Sequence, residues 1–180
     1  MIAKRKLGRG GPAIGCLGYG AMVLEGYYGA SDDDQGVEVI HRALDAGLTM
    51  IDSADAYGSG HNETLVGRAI QGRRDAAFVA TKFGIVFEAE EEGTDLPTGW
   101  GFSLKINGRP GYVRRALDGS LARLGVEAID LWYAHYPDPG TPIEPMFVIS
   151  KPRLSAAWLI SNTQSKKSRF HCYRLFPGRR

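Results

Sequence analysis

The chain has 180 residues, 43% of them hydrophobic and 23% charged, a composition typical of one soluble globular domain and too apolar for a disordered chain. Its formal net charge is only +2, but residues 1–150 carry 14 Lys/Arg against 20 Asp/Glu, whereas residues 151–180 carry 8 Lys/Arg and no acidic residue. The last thirty residues are therefore a different kind of sequence from the rest.

Before that stretch, short apolar runs alternate with helical patterns, which is typical of a βαβ chain with a parallel sheet. In chain order, the first predicted elements are a glycine-turned hairpin over Lys4–Ile14, a buried strand over Cys16–Gly20, and a helix that begins at a capping box of Ser31 and Asp34 and ends at Gly47. A strand over Thr49–Asp52, a helix over Glu63–Ile70 capped by Asn62, and a strand over Phe78–Phe83 follow. The last predicted elements are a long loop over Glu88–Pro110, a helix over Tyr112–Leu124 and a strand over Ile129–His135.

The four strands after the hairpin are predicted to form one sheet. These strands would be neighbours in an open half-barrel with the helices on its convex side. Their approximate bounds are Leu17–Gly20, Thr49–Asp52, Phe78–Lys82 and Ile129–His135. A closed (β/α)₈ barrel typically needs ~250 residues. The predicted fold class is therefore α/β, about the first four β/α units of such a TIM barrel after an N-terminal β-hairpin. From Pro145 onward the alternation fails, and we predict no element there.

Cysteine content and hydropathy narrow the class of protein further. Cys16 and Cys172 form no CxxC pair and have no metal-ligand spacing, which excludes a disulfide scaffold or a zinc ribbon and favours a reducing cytoplasm. No apolar run approaches the ~20 residues that span a bilayer, and Met1–Gly10 lacks the apolar segment of a secretory signal. We therefore expect a soluble, cytoplasmic protein that uses no metal.

Polar side chains follow three of the predicted strands where each strand ends. The second strand runs into Asp52 and then Tyr57, the third ends near Lys82, and the fourth ends at His135. Parallel α/β folds bind ligands beyond the carboxyl ends of their strands. We therefore expect a carboxylate, a phenol, an amine and an imidazole to converge on one rim.

These four side chains suit carbonyl reduction. A phenol has an unperturbed pKa of ~10 and is a poor acid near neutrality. A nearby ammonium favours phenolate, so Lys82 is expected to lower the pKa of Tyr57 and let it donate a proton to a carbonyl oxygen. Asp52 would keep Lys82 charged and fixed, while His135 would hydrogen-bond the same oxygen as hydride arrives at carbon.

The same residues lie in motifs whose order and separations resemble those of the aldo-keto reductases. These motifs are Ile51-Asp52-Ser53-Ala54-Asp55-Ala56-Tyr57-Gly58, Asn62-Glu63, Thr81-Lys82-Phe83-Gly84, Ser120-Leu121-Ala122-Arg123-Leu124-Gly125, Asp130-Leu131 and His135. Three more, Asn107-Gly108-Arg109-Pro110, Asp138-Pro139 and Pro142-Ile143-Glu144, are similar to the family's bacterial branch of broad-range aldehyde and ketone reductases. The resemblance covers roughly residues 4–144.

The resemblance implies roles for these residues. Tyr57 would be the proton donor, tuned by Lys82 and Asp52, and His135 would position a small aldehyde or ketone substrate. The cofactor would be NADPH, bound without a Rossmann domain, and the segment Gly18-x-Gly20 indeed lacks the third glycine of that fingerprint. Gly20, Ala21 and Met22, together with Asp52, would line the nicotinamide ribose.

Residues 145–180, the basic tail, do not continue the family pattern. We read the chain as residues 1–144, the N-terminal half of a reductase barrel, followed by a truncated or frame-shifted end. The resemblance places the pyrophosphate and 2′-phosphate contacts on later strands, so we expect impaired NADPH binding and turnover. An open barrel edge would also favour self-association.

Other functions remain open at this point. Cytoplasmic β subunits of potassium channels share the fold and these four residues, so a non-catalytic accessory subunit is one alternative, and an inactive gene remnant is another. Clustered Lys/Arg in the basic tail could bind nucleic acid. We predict no folded platform in the tail on which aromatic and basic residues would alternate, so we expect neither a nucleic-acid nor a membrane partner.

Several nearby residues have a functional and a structural interpretation. An apolar substrate pocket could be lined by Tyr27, Tyr28, Trp100, Trp132 and Tyr133, although aromatic residues near barrel strands are as often core. Asp55 is interpreted as a loop hydrogen-bonding residue rather than a second acid. Glu63 is interpreted as complementing its helix N-terminus rather than touching cofactor.

Overall fold

The computed structural model describes residues 2–8 and 11–142, together with the backbone of two later strands, Trp158–Ser161 and His171–Arg174. The elements are β1 (Lys4–Lys6), β2 (Ala13–Gly15), β3 (Gly18–Gly20), α1 (Asp33–Ala46), β4 (Met50–Asp52), α2 (His61–Ile70), β5 (Phe78–Phe83), β6 (Thr94–Pro97), β7 (Ser103–Ile106), α3 (Pro110–Leu124), β8 (Leu131–Ala134), β9 (Trp158–Ser161) and β10 (His171–Arg174). Most of the basic tail lies outside the described residues, so the predicted division at residue 144 stays a prediction.

The predicted sheet is confirmed in strand order and direction. Strands β3, β4, β5 and β8 form a four-stranded parallel sheet in that order, while β1 and β2 form the expected antiparallel hairpin. Helices α1, α2 and α3 cover one face of the sheet, and α2 packs against both of the others. The fold is α/β, with the arrangement of part of a TIM barrel.

Two layers of apolar side chains flank the sheet because successive side chains of a strand point to opposite faces. On the helix side, Ile51, Val79 and Trp132 pack with the apolar stripes of the three helices. On the other side, Phe78 and Leu131 pack with residues of the hairpin. The face that bears the hairpin is also the face on which the polar side chains of the site lie.

The helix ends differ in part from the predicted caps. Asp32, rather than the expected pair Ser31 and Asp34, caps α1, because its side chain accepts a hydrogen bond from the backbone amide of Gln35. Gly47 ends the helix as expected, in the left-handed conformation with φ of 94°.

Three other expectations about elements are wrong. Strand β3 is not buried, since Gly18 and Gly20 are exposed. The segment Glu88–Pro110 is not simply a loop, because β6 and β7 pair within it as an antiparallel hairpin. In the tail, where no element is predicted, β9 and β10 pair antiparallel.

In the part of the chain that is described, no helix is long and apolar enough to cross a membrane.

Candidate active site

Strand register brings the acidic, basic and phenolic side chains of three strands together. Asp52 is the last residue of β4 and pairs with Ala80 of β5, two residues before Lys82, and Lys82 pairs with Tyr133 of β8. Because alternate residues share a face, Asp52, Lys82 and Tyr133 lie on the same side of the sheet as the hairpin.

The ammonium of Lys82 is the centre of this cluster. Its Nζ donates hydrogen bonds to Oδ2 of Asp52 at 2.9 Å and to the carbonyl of Ser53 at 2.7 Å. It also lies over two aromatic rings, 4.8 Å from the centroid of Tyr57 and 5.5 Å from that of Tyr133. Burial lowers the pKa of Lys82 from its ordinary value, and the charge and hydrogen bond of Asp52 oppose that effect.

Tyr57 is presented by a tight turn directly after β4. The turn has positive φ at Gly58, Ser59 and Gly60, a conformation that favours glycine at two of these three positions. Contrary to the expectation from Lys82, the pKa of Tyr57 is raised to about 12, because burial disfavours the phenolate and the charge of Asp52 adds to the effect. The predicted lowering is therefore wrong for this structure.

His135 completes the group just beyond β8. Its backbone amide donates to the carbonyl of Phe83 at 2.8 Å, which continues the ladder between β5 and β8. Its ring meets that of Tyr57 edge to face, with centroids 5.5 Å apart. Burial, aided by the charge of Lys82, lowers the pKa of His135 to about 3, so the imidazole is neutral at physiological pH. The structure thus brings together Asp52, Tyr57, Lys82 and His135.

The residues expected to face a cofactor lie at the neighbouring strand end. Gly20 is the last residue of β3 and pairs with Asp52, and a Cβ added to it would meet nothing within 4 Å. The next residues differ in exposure, since Ala21 is fully buried and Met22 is half-buried. Open space at Gly20 beside a partly exposed carboxylate suits the hydroxyl groups of a ribose.

Sequence reasoning assigned the wrong role to Asn62. Helix α2 begins at His61 without a side-chain cap, and Asn62 is instead fully buried. Its amide donates to the carbonyl of Ala21 at 2.9 Å and to Glu25 at 2.9 Å, and its oxygen accepts from the hydroxyl of Ser53 at 2.7 Å. Asn62 therefore ties the segment after β3 to the segment after β4. Because Asn62 lies among the polar residues His61, Glu63 and Thr64, the sequence offered no signal for this buried role.

Two aromatic residues of β8 have separate roles. Trp132 is fully buried on the helix side and stacks on Phe83 with centroids 4.0 Å apart, so it belongs to the core and not to a substrate pocket. Tyr133 points to the opposite face, where its hydroxyl donates to Oδ1 of Asp52 at 2.6 Å. Alternation along a strand would have separated the two from sequence alone.

Buried acids lie behind the turn that carries Tyr57. Glu63 is fully buried and accepts from the hydroxyl of Thr81 at 2.6 Å and from Nε of Arg123 at 2.7 Å. Asp55 is 1% exposed and its backbone amide donates to the carbonyl of Lys82 at 3.1 Å, while its carboxyl oxygens have no side-chain hydrogen-bond partner among the described residues. For its side chain, the interpretation as a hydrogen-bonding loop residue stays a prediction. Burial and the charge of Glu63 raise its pKa well above the usual range.

Comparison with known proteins places the chain in a family. The family model described as "Aldo/keto reductase family" matches residues 16–152, which is more than half of the chain and continues past residue 144. The chain belongs to the aldo/keto reductase family.

Individual relatives agree with this assignment. The chain is 41% identical over 145 residues to Aldo-keto reductase yakc of Schizosaccharomyces pombe, whose name carries NADP(+), and 42% identical over 146 residues to Probable aldo-keto reductase 1 of Glycine max. These matches cover 79% and 80% of this chain but 39% of each relative. The chain thus spans well under half the length of these relatives.

Solved structures give the same result. The aldo-keto reductase AKR11C1 from Bacillus halodurans, in its holo form, is 27% identical with a TM-score of 0.74, covering 90% of this chain and 51% of that one. The glycerol dehydrogenase AKR11B4 from Gluconobacter oxydans is 31% identical with a TM-score of 0.67, covering 87% of this chain and 47% of that one.

Proposed function

We propose that this chain carries the proton-donating part of the active site of an NADPH-dependent reductase of aldehydes or ketones. The observation that carries the proposal is the position of Lys82, whose ammonium contacts both the carboxylate of Asp52 and the ring of Tyr57. Support for the cofactor comes from the name of the S. pombe relative and from the holo form of the B. halodurans structure.

In this proposal Tyr57 donates its hydroxyl proton to the carbonyl oxygen of the substrate. A pKa of about 12 keeps the phenol in its donor form at neutral pH. Transfer becomes favourable only as negative charge builds up on the carbonyl oxygen, and the cation of Lys82 stabilises the phenolate that remains. Asp52 keeps this cation in place.

His135 acts as a hydrogen-bond donor and not as a proton donor. Because its pKa is about 3, the imidazole is neutral and offers one N–H group to the carbonyl oxygen. A neutral donor beside Tyr57 orients the carbonyl group without competing for the proton.

Gly20, Ala21, Met22 and Asp52 are the residues proposed to hold the nicotinamide end of the cofactor. NADPH, when bound, supplies the hydride that reaches the carbonyl carbon. Gly20 leaves room for the ribose, and Asp52 can accept a further hydrogen bond on either oxygen, since each carboxylate oxygen has two lone pairs. The hydrogen bond from Asn62 fixes the backbone at Ala21.

Self-association is a further part of the proposal. Among the described residues, β3 is an outer strand of the four-stranded sheet, whereas β9 lies against β8 at the other side. An outer strand offers unpaired backbone groups to another chain. We expect sedimentation velocity to show dimers or larger species whose fraction rises with concentration. A monomer at every concentration would contradict this expectation. The cytoplasmic location stays a prediction.

The proposed activity is tested in a chimera of this chain and the S. pombe relative, called the joined barrel below. Residues 1–152 replace the matching segment of the S. pombe relative, so that this chain supplies all four site residues. We expect carbonyl-dependent oxidation of NADPH, and a loss of at least about 10²-fold in the same protein with Lys82→Met.

Two results would overturn the proposal. One is a joined barrel that binds NADPH, as shown by quenching of protein fluorescence, but reduces no aldehyde or ketone, which is the behaviour of an accessory subunit. The other is turnover that Lys82→Met leaves unchanged. For the 180-residue chain alone we expect negligible NADPH binding in the same titration.

A further inference from the structure

We propose that Tyr133 is a positioning residue, whose hydroxyl holds the carboxylate of Asp52 against the ammonium of Lys82. The inference rests on the proposed function for its consequence in catalysis, but the geometry on which it stands is independent of any substrate. It adds a fifth residue to the four that the sequence singles out.

The carboxylate of Asp52 has two donors, one on each oxygen. Lys82 Nζ binds Oδ2 at 2.9 Å, and the hydroxyl of Tyr133 binds Oδ1 at 2.6 Å. Hydrogen bonds of a hydroxyl to a carboxylate at this distance belong to the stronger, charge-assisted class. Among the described residues, no other group donates to Asp52.

Without the second donor the carboxylate would be free to turn. The side chain of Asp52 is 29% exposed, whereas that of Lys82 is only 11% exposed. Water can therefore compete for the carboxylate more easily than for the ammonium. The hydrogen bond from Tyr133 keeps the carboxylate of Asp52 from turning toward water and leaves its Oδ2 facing Lys82.

Tyr133 also contacts the ammonium directly. Its ring centroid lies 5.5 Å from Lys82 Nζ, and the two residues are register partners on adjacent strands. The ring packs with the apolar layer on the hairpin side of the sheet, which fixes its direction. Burial and the charge of Asp52 raise its pKa, so the hydroxyl stays protonated and remains a donor.

The predicted consequence is a lower pKa of Lys82 when the hydroxyl is removed. Burial lowers the pKa of Lys82, and the charge and hydrogen bond of Asp52 are the leading opposing causes, followed by the charges of Asp55 and Glu63. If Tyr133→Phe lets Asp52 turn toward water, the opposing effect of Asp52 weakens. The midpoint of the Lys82 titration should then fall by about 0.5–1 pH unit.

The experiment follows the Cε resonance of Lys82 against pH in the full 180-residue chain labelled with carbon-13 lysine, and Lys82→Arg assigns the resonance. The matched control is Tyr112→Phe, because Tyr112 is also buried and its hydroxyl donates to the carbonyl of Ile85 at 3.2 Å. We expect Tyr133→Phe to lower the midpoint and Tyr112→Phe to leave it unchanged. In an Asp52→Asn background, Tyr133→Phe should cause no further fall.

An unchanged or raised midpoint in Tyr133→Phe would overturn the proposal, and so would an equal fall in the Asp52→Asn background. If Tyr133→Phe does not fold, the unsubstituted chain provides the test. Its Tyr133 hydroxyl proton should then give a slowly exchanging resonance that Asp52→Asn abolishes, and absence of that resonance would overturn the proposal. None of these measurements needs cofactor or turnover, so the inference and the proposed function fail separately.

Discussion

At the scale of single residues, burial determines the charge states of the site more than pairing does. The pKa of Tyr57 is raised and that of His135 is lowered, each with burial as the largest cause. Only Lys82 has an opposite charge in direct contact, which opposes the effect of burial on its pKa. The site is therefore built from one ion pair and two neutral donors.

The neutral state of His135 predicts a dependence of stability on pH. The unfolded chain takes up a proton on this imidazole below about pH 6.5, but the folded chain does so only near pH 3, so folding loses stability as pH falls through that window. Between pH 7 and pH 5 the free energy of unfolding should fall by about 2 kcal/mol more in the unsubstituted chain than in His135→Gln.

Urea unfolding at the two pH values measures this difference. Imidazole proton resonances, assigned with the same variant, give a second reading, since His135 should not titrate between pH 5 and pH 8. A midpoint near pH 6.5 would contradict the lowered pKa.

The raised pKa of Asp55 predicts that its contribution to stability depends on pH in the opposite direction. Its pKa is raised in the folded chain, so the unfolded chain loses the proton first and stability falls as pH rises above the ordinary carboxyl range. Asp55→Asn removes this loss without changing the size of the side chain. Its gain in unfolding free energy over the unsubstituted chain should grow between pH 4 and pH 8, reaching roughly 1 kcal/mol or more.

The control for Asp55→Asn is Asp95→Asn, which alters an exposed carboxylate of β6. A difference between Asp55→Asn and the unsubstituted chain that stays constant with pH would show that Asp55 is already ionised in the folded protein.

At this scale, strand ends in the sequence were enough to predict which four polar side chains would meet. They were not enough to predict the direction of the pKa of Tyr57, because its burial depends on the turn at Gly58 and on the packing around it. The role of Tyr133 depends on register, since it faces Lys82 only because β5 and β8 pair at those positions.

At the scale of elements, the close approach of α2 to the end of α3 positions the buried carboxylate of Glu63. A Cβ on Gly67 of α2 would lie 2.6 Å from the carbonyl oxygen of Leu124 and 2.8 Å from that of Arg123. Glu63, one turn earlier in α2, reaches Arg123 across the same gap. The two helices can approach this closely only where one of them has no side chain.

Gly67→Ala should therefore destabilise the protein, although alanine is the better helix former. In an open helix interior the change gains about 0.5–1 kcal/mol. Here the contact is with backbone atoms that cannot turn aside, so we expect a net loss of about 1–3 kcal/mol in the free energy of unfolding.

Gly111→Ala in α3 is the matched control, because a Cβ there would meet only the end of Arg115 at 3.9 Å. Urea unfolding of both variants tests the prediction, and a Gly67→Ala variant as stable as the control would contradict it.

The helices and strands were predicted well where periodicity was strong, as in β5 and α3, and less well where it was weak. The pairing of β6 with β7 was missed because their eight residues include Asp95, Pro97 and Lys105 and do not read as two strands. Strand β3 was wrongly expected to be buried, since three residues with two glycines provide little to bury.

At the scale of the whole molecule, one face of the parallel sheet builds the main apolar core and the other face carries the polar site. The face toward the helices supplies the larger apolar core, and the opposite face supplies a smaller apolar layer below the polar site. Parallel direction puts the carboxyl ends of β3, β4, β5 and β8 at one edge, which is why residues distant in sequence share a site.

The most direct test of the proposed chemistry is the effect of Tyr57→Phe on the rate of the chemical step in the joined barrel. Single-turnover oxidation of bound NADPH by an aldehyde isolates that step from binding and release. We predict a fall of about 10²–10⁴-fold with NADPH affinity unchanged, because the variant loses only the proton. An unchanged single-turnover rate in a Tyr57→Phe barrel that binds NADPH normally would contradict the assignment of Tyr57 as proton donor.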